Sequence, residues 1–388
     1  MPNIISGQRP AAHETASSAI TSSRRVVEMH SDIMLYDPEA APLSLLAAAA
    51  NKQSVGNQKY DVLEDELIPH IDTVDGAHAG TTTVTIDVDN GAYHPDNSLI
   101  KVPRTGEVML KSSNSADTLT VVRAYGGTAG AALLDGEQII NMGGAAQEGA
   151  ASEASRSTQA TVGYNYTQIF RWPFDVTNTL MASNLYGGPD LPYQQKKAGI
   201  EYAKRLDLSG FVGERSVNEA GGLIMAGVAR RSTGGLLEFI STNSEDLGGG
   251  FSLNTFMELS ETYFRYGSKS KVMFASRGLV TNISLEAVQF IQTERSDETM
   301  GLSIGNLETP HGRLKVIAHD LLEGNEYGGY GFVVDLDYFG MRFLKGRDTK
   351  LHTNIQANDV DGRKDEFLGE IGWWRSLEKT HGLFTNGN

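Results

Sequence analysis

The sequence predicts an α+β fold, and three observations predict it. Between Gly56 and Met181 short extended runs follow one another at close spacing, and at Asp190 the apolar period becomes helical. From 222 to 340 helical and extended patterns alternate without the regular βαβ rhythm of a doubly wound sheet.

Residues 26 to 50, VVEMHSDIMLYDPEAAPLSLLAAAA, hold two short helical patterns interrupted at Asp37-Pro38 and Pro42. Met29, Ile33 and Met34 share a face in the first, and Leu43, Leu46 and Ala47 share one in the second. Helices this short are unstable alone, so both are expected to dock elsewhere. The preceding MPNIISGQRPAAHETASSAITSSRR has no periodic apolar face and is expected to be a mobile or externally docked arm. It lacks a basic start followed by an apolar run and does not read as a secretory signal.

Five β-type runs follow: TTTVTIDV (81–88), SLIKVP (98–103), EVMLKS (107–112), TLTVVRAY (118–125) and EQIINMG (137–143). Their spacing predicts a small barrel or sandwich. KYDVLEDELI before it and QATVGYNYTQIFRWPFDVTNTL after it read as outgoing and returning strands of one long arm, with GGAAQEGAASEAS as a flexible linker. DLPYQQKKAGIEYAKRLDLSGFVG is the longest predicted helix, with Asp190 as N-cap and Tyr193, Ile200, Ala203 and Leu206 near one stripe. LNTFMELSETYFRYG predicts a helix capped by Asn254, with Phe256, Leu259, Tyr263 and Phe264 as its apolar face and Gly267 as its stop. Then come a strand in SKVMFAS, a helix in NISLEAVQFIQ and two strands around Pro310-His311-Gly312. One strand run is predicted in YGFVVDLDYFGMRFL, and two closing strands in KLHTNIQA and EFLGEIGWW.

The 388 residues allow two or three compact units. Forty-three glycines fit a chain with many turns and much β structure. The absence of cysteine excludes disulfides, thiolate metal sites and thiol nucleophiles. A net charge of −15 argues against general phosphate-backbone binding, and suits a protein that lies beside DNA without adhering to it. No window approaches the roughly eighteen apolar residues of a membrane-spanning helix.

GLSIG, at 301 to 305, matches a nucleophile elbow that would use Ser303, with His311, His319 and Asp320 downstream. The elbow needs a strand turning into a helix, and here a turn and a strand follow, so a glycine-containing strand is the better reading. NDVDGRKDEFLGEIGWW begins like a calcium loop. With Gly362 at the sixth position, however, oxygen ligands would be needed at Ala357 and Leu368, so it reads as an Asx-type turn. GGTAGAALL lacks the Lys-Ser/Thr ending of a phosphate cradle, and the scattered histidines suggest no metal cluster. No cofactor is expected. Of the paired cations, Lys196-Lys197 and Arg230-Arg231 read as solvated surface, and Arg24-Arg25 as able to contact an acidic neighbour. Trp172, Trp373 and Trp374 read as packing residues, and strand alternation sends one of the last two outward, where a second chain can cover it.

DIMLYDPEAAPLSLL, KYDVLEDELIPH, TLTVVRAYGGTAGAALLDGEQIINMGGAAQEGA and GEIGWWRSLEKTHGLFTNG, in that order, resemble the major capsid proteins of tailed bacteriophages. The resemblance runs from Val26 to Phe384 and is to the SU-ten-like capsid family with the Hong Kong-97-type fold. It implies an N-terminal arm (1–55) and an E-loop (56–185) carrying a small β-barrel at about 76–150. It further implies a peripheral domain with a spine helix (186–221), an axial domain (222–340) and strands returning to the peripheral domain (341–388). The implied protein is not an enzyme. It is the subunit of an icosahedral virion shell, assembled as hexamers and pentamers in the host bacterial cytoplasm, near packaged DNA and without a membrane. Portal, scaffold and decoration proteins are its implied partners. The residues expected at assembly contacts are Arg24, Arg25, Glu64, Asp65, Phe170, Trp172, Trp373 and Trp374. Two rival readings are a serine hydrolase using Ser303 and a decoration or host-binding protein using the barrel.

Overall fold

The computed structural model describes residues 41–144, 148–149, 157–183, 188–217, 230–248, 252–287 and 305–387. The chain divides into a body, drawn from Met1–Val62 and Gly163–Asn388, and a second unit, Leu63–Val162.

The described body opens with helix α1 (Pro42–Ala50). Proline in its first turn has no N–H to lose, and Ala41 offers no side-chain cap. The free N–H groups of Leu43 and Ser44 donate instead to the Asp207 carboxylate, at 2.9 and 2.8 Å. Asp207 is fully buried, and His319 Nε2 lies 3.0 Å from the same group. Because His319 Nδ1 accepts from the Leu321 N–H at 3.2 Å, Nε2 carries the proton and donates to Asp207. Leu43 and Ala47 turn into the core, and β1 (Lys52–Val55) then pairs in parallel with a strand of its own chain. The 41–55 part of the expected arm therefore docks at home, because its apolar face and its orphan N–H groups find partners there. Residues 1–40, with Met29, Ile33 and Met34, lie outside the described residues.

Strand β2 (Lys59–Glu64) leads into the second unit. There β3 (Ile71–Thr73), β4 (Thr85–Asp87), β5 (Ser98–Lys101), β6 (Val108–Ser115), β7 (Thr118–Val122) and β8 (Gln138–Gly144) form one sheet in the order β3-β8-β5-β6-β7-β4. A Val74–Val88 bridge joins its two ends, so the sheet closes into a small barrel. Alternate residues such as Ile86, Ile100, Met109, Leu119, Val121 and Ile139 fill the interior. The five expected strands are present; β3 was not anticipated, since three residues are too few to show a period. The glycine-rich 124–136 loop is fastened by two carboxylates. Burial alone would raise Glu107, but the Arg123 fork at 2.7 Å and the N–H groups of Ala131 and Ala124 hold it below the usual range. The Arg104 fork does the same for Glu137, against burial and with help from the Leu134 N–H.

The chain returns through β9 (Thr161–Tyr166), which pairs with β2, and continues as β10 (Gln168–Thr177) and the short α2 (Asn178–Ala182). Only β9 belongs to the expected return limb, for β10 is the outer strand of a sheet in the body. Helix α3 (Asp190–Val212) follows; Asp190 is its first residue rather than its cap, and Pro189 precedes it. Its buried stripe is Ala198, Tyr202, Leu206 and Gly210, spaced by four, with Asp207 and Phe211 beside it. Leu206 was expected there, whereas Tyr193, Ile200 and Ala203 lie half-buried at its margin.

After β11 (Ser216–Val217) and β12 (Arg231–Ser232), an antiparallel pair, come α4 (Leu236–Phe239) and β13 (Ser244–Asp246). Helix α5 (Leu253–Tyr263) starts one residue before Asn254, with Ser252 at the cap position, and buries Phe256 and Tyr263. Then follow β14 (Ser270–Ala275), α6 (Arg277–Ala287), β15 (Gly305–Glu308), β16 (Arg313–Ala318) and α7 (Gly324–Tyr327). The expected single strand in YGFVVDLDYFGMRFL is two, β17 (Gly331–Val334) and β18 (Phe339–Leu344), in different sheets. Asp335 separates them by accepting the Asp337 N–H on its side chain and the Tyr338 N–H on its carbonyl, each at 3.1 Å. Strands β19 (Lys350–His352), β20 (Gly362–Arg375) and β21 (Gly382–Thr385) close the chain.

One body sheet runs β1-β18-β20-β10, with β19 also on β20; the other runs β13-β21-β17-β14-β16-β15. Within the 341–388 stretch, β20 joins the first sheet and β21 the second, both inside the one body. In β14, Val272 and Phe274 join the core shared with α3 and the first sheet, while Met273 and Ala275 join that of α5 and α6. A strand buried on both faces explains the uninterrupted apolar run VMFA.

Candidate assembly surfaces

The β2–β9 ribbon has a fixed root in the body. Tyr60 donates to the Trp373 carbonyl at 2.7 Å, and burial pushes its phenol well above its ordinary pKa despite the cations of Arg375 and Arg342. The Asn165 amide donates to the carbonyls of Trp373 and Gly234, at 2.8 and 3.1 Å, and accepts the Gly234 N–H at 2.8 Å. Thr167 donates to Glu370 at 3.0 Å, and that buried carboxylate also meets Arg231 and Arg347. Outside this root, Lys59 and Arg215 lie 4.4 and 4.1 Å from the Tyr164 ring.

The structure separates the residues expected at assembly contacts. Asp65 is exposed and accepts the Glu66 N–H, while Glu64 is half-buried at the end of β2. Phe170 is 6% exposed and meets Tyr202 edge-on at 6.4 Å, so it is a core residue. Trp373 is likewise buried, stacked on Phe339 at 5.3 Å, with Nε1 donating to Ser209 at 3.0 Å. Both are corrected from contact to core, because inward positions of β10 and β20 meet α3 and β18. Trp374 turns to the opposite face, half-buried under Arg342 at 4.3 Å, as alternation predicts. Trp172 is half-buried with the Arg205 guanidinium 4.1 Å from its ring. Arg24 and Arg25 lie outside the described residues.

One surface was not anticipated. Along the outer strand β10, an open groove of about 480 Å³ is lined by Ile169, Leu208 and Val212, with Arg171, Arg205 and Glu214 as its charged residues. Ile169 and Leu208 are 46% and 44% exposed. Their signal was faint: an apolar residue next to the inward Phe170, and a leucine two places after the inward Leu206.

The rival chemistry is not assembled among the described residues. Ser303 lies outside them, and Gly305 opens a strand rather than a helix. His319 is spent on Asp207 and the Leu321 N–H, and Asp320 on Arg277 at 2.8 Å. No three His, Asp or Glu side chains among the described residues are grouped to hold a metal ion. In the acidic run, Asp361 accepts from Asn178, and Asp365 accepts from Arg363 and from the Asn354 N–H at 2.9 Å. These bonds fit a turn between β19 and β20.

The family model described as SU10 major capsid protein matches residues 12–387. No curated protein matches the sequence. Among solved structures, Gordonia phage Cozz superposes with a TM-score of 0.50 at 9% identity, covering 98% of each chain. The capsid of the native GTA particle gives a TM-score of 0.49 at 10% identity, covering 97% of this chain and 100% of that one. At 9% identity the likeness to the Gordonia phage Cozz chain is one of fold.

Proposed function

This chain belongs to the SU10 major capsid protein family, and on that premise we propose that its copies close into hexamers and pentamers forming the icosahedral head around phage DNA. As a major capsid protein it is a component of the virion shell. The observation that best supports the proposed assembly is the β2–β9 ribbon, through which the chain passes between a body with its own cores and a separately folded barrel. A paired ribbon buries little of its own, so its outer surfaces gain most from other copies, and repeated head-to-tail contacts close into rings. In this reading residues 56–166 form the E-loop with its barrel, α3 the spine helix and the β14 sheet the axial domain. The acidic balance of −15 limits adhesion to the packaged DNA. Glu64, Asp65, Trp172 and Trp374 are the proposed contact residues, joined by the groove at Ile169 and Leu208; Arg24 and Arg25 would act from the N-terminal arm. Portal, scaffold and decoration proteins are the proposed further partners, and the host cytoplasm the proposed place of assembly. Electron microscopy of the overexpressed protein tests the reading: rings, sheets or shells are expected, and monomers under every condition would contradict it.

A further inference from the structure

The outer face of the barrel breaks the rule that the solvated side of an antiparallel sheet is polar. Strand register places Leu99 opposite Leu110, and Leu110 opposite Val122. On the other side of β5 the pairs Ser98–Gly144 and Ile100–Asn141 leave Leu99 facing the Met142–Gly143 bulge, where Gly143 takes φ +100°. Met142, Leu99, Leu110 and Val122 thus form one row across four strands. Two residues along, Ile71, Ile140, Lys101 and Val108 form a second row, through the pairs Ile71–Ile140, Ile140–Lys101 and Lys101–Val108. Ile71, Met142 and Val122 are 46, 49 and 53% exposed, and their apolar neighbours are half-buried. Of the eight side chains only Lys101 is charged, and it sits inside the patch. Such a face favours coverage.

The same unit carries a segment suited to cover it. Leu67 and Leu63, 88 and 73% exposed, are the two most exposed large apolar side chains among the described residues, and the exposed Asp65 lies between them. Among the described residues both features stay exposed, so they do not satisfy each other there. Two copies of the patch meeting face to face would oppose their Lys101 ammonium groups. A head-to-tail contact instead brings Asp65 to Lys101 and the two leucines to the apolar rows. We propose that the Leu63–Leu67 segment of one copy lies on the Met142–Leu99–Leu110–Val122 face of the next, so that each subunit gives and receives one such contact. This rests on the homo-oligomeric shell reading above.

The cysteine-free chain permits a clean test by paired cysteines. Assembled particles carrying Leu67→Cys with Leu110→Cys, or Leu63→Cys with Val122→Cys as an independent second pair, are oxidised and run on a denaturing non-reducing gel. A ladder extending beyond dimer for either pair, absent from each single-cysteine variant, is the expected result. Particles that form normally but give no ladder with either pair overturn this contact and leave the shell reading intact; dimers from single Leu110→Cys would show the face-to-face contact instead. If the unsubstituted chain forms no assemblies at all, it is the shell reading that fails. Charge reversal adds a second readout: Lys101→Glu should reduce assembly yield at low salt, and Asp65→Lys in the same chain should restore it. Equal yields for unsubstituted and Lys101→Glu chains would contradict the Asp65–Lys101 contact.

Discussion

His381 is buried among backbone groups, accepting the Asp335 N–H on Nδ1 at 3.3 Å, and burial drives its imidazole from 6.5 down to about 4. Between those values the unfolded chain binds a proton that the folded chain refuses, so stability falls as the pH drops from 6.5 towards 4. Urea unfolding across that window should show the loss, and His381→Gln should flatten the slope. Lys271, buried against the Tyr266 and Thr380 carbonyls, is pulled by desolvation from 10.5 to about 8 although Asp335 lies 3.7 Å away. Here too the unfolded chain binds more protons between the two values, so this group makes stability rise with pH from about 8 to 10.5. Replacing Lys271 by Met should remove that rise. Asp207 is the third residue of consequence, for Asp207→Ala strands two N–H groups and His319 in the core. A loss of about 3 kcal/mol or more is expected by urea unfolding, with α1 becoming open to proteolysis.

Among the elements, α3 approaches α1 and β20 closely at Gly210. A Cβ on Gly210 would stand 2.7 Å from Leu43 Cδ2 and 2.8 Å from the Trp373 ring. Gly210→Ala should therefore cost about 1–3 kcal/mol, outweighing alanine's better helix propensity, and shift the Trp373 fluorescence. Elements whose sequence carried a period were legible: α3, the barrel strands β5 to β8, the β15–β16 hairpin and the fact that one of Trp373 and Trp374 turns outward. The division between β17 and β18 was not, because GFVV and FGMRFL are largely apolar and only the Asp335 turn separates them. The stripe of α3 was misplaced by its partners, since Gly210 and Asp207 face inward for a close approach and a trans cap that no hydrophobic pattern announces. The candidate surfaces were the least legible part. The β10 groove and the barrel patch exist only once strands pair, and Phe170 and Trp373 look like surface anchors until the inward side of each strand is known.

At the scale of the molecule, the two units have separate cores, one built on Ile100 and Leu119 and the others on Trp373 and Phe384. Replacing Leu63–Val162 by a short turn should therefore leave the body folded, with its thermal transition retained by calorimetry, while removing one of the proposed contacts between copies. The central claim is that the chain builds a closed shell from rings of itself. Cryo-electron microscopy of particles formed by the full chain tests it most directly. A closed shell with fivefold and sixfold rings, each subunit holding the described α+β body, is the predicted result; particles without such rings, or a chain that stays monomeric at every concentration and salt, would contradict it.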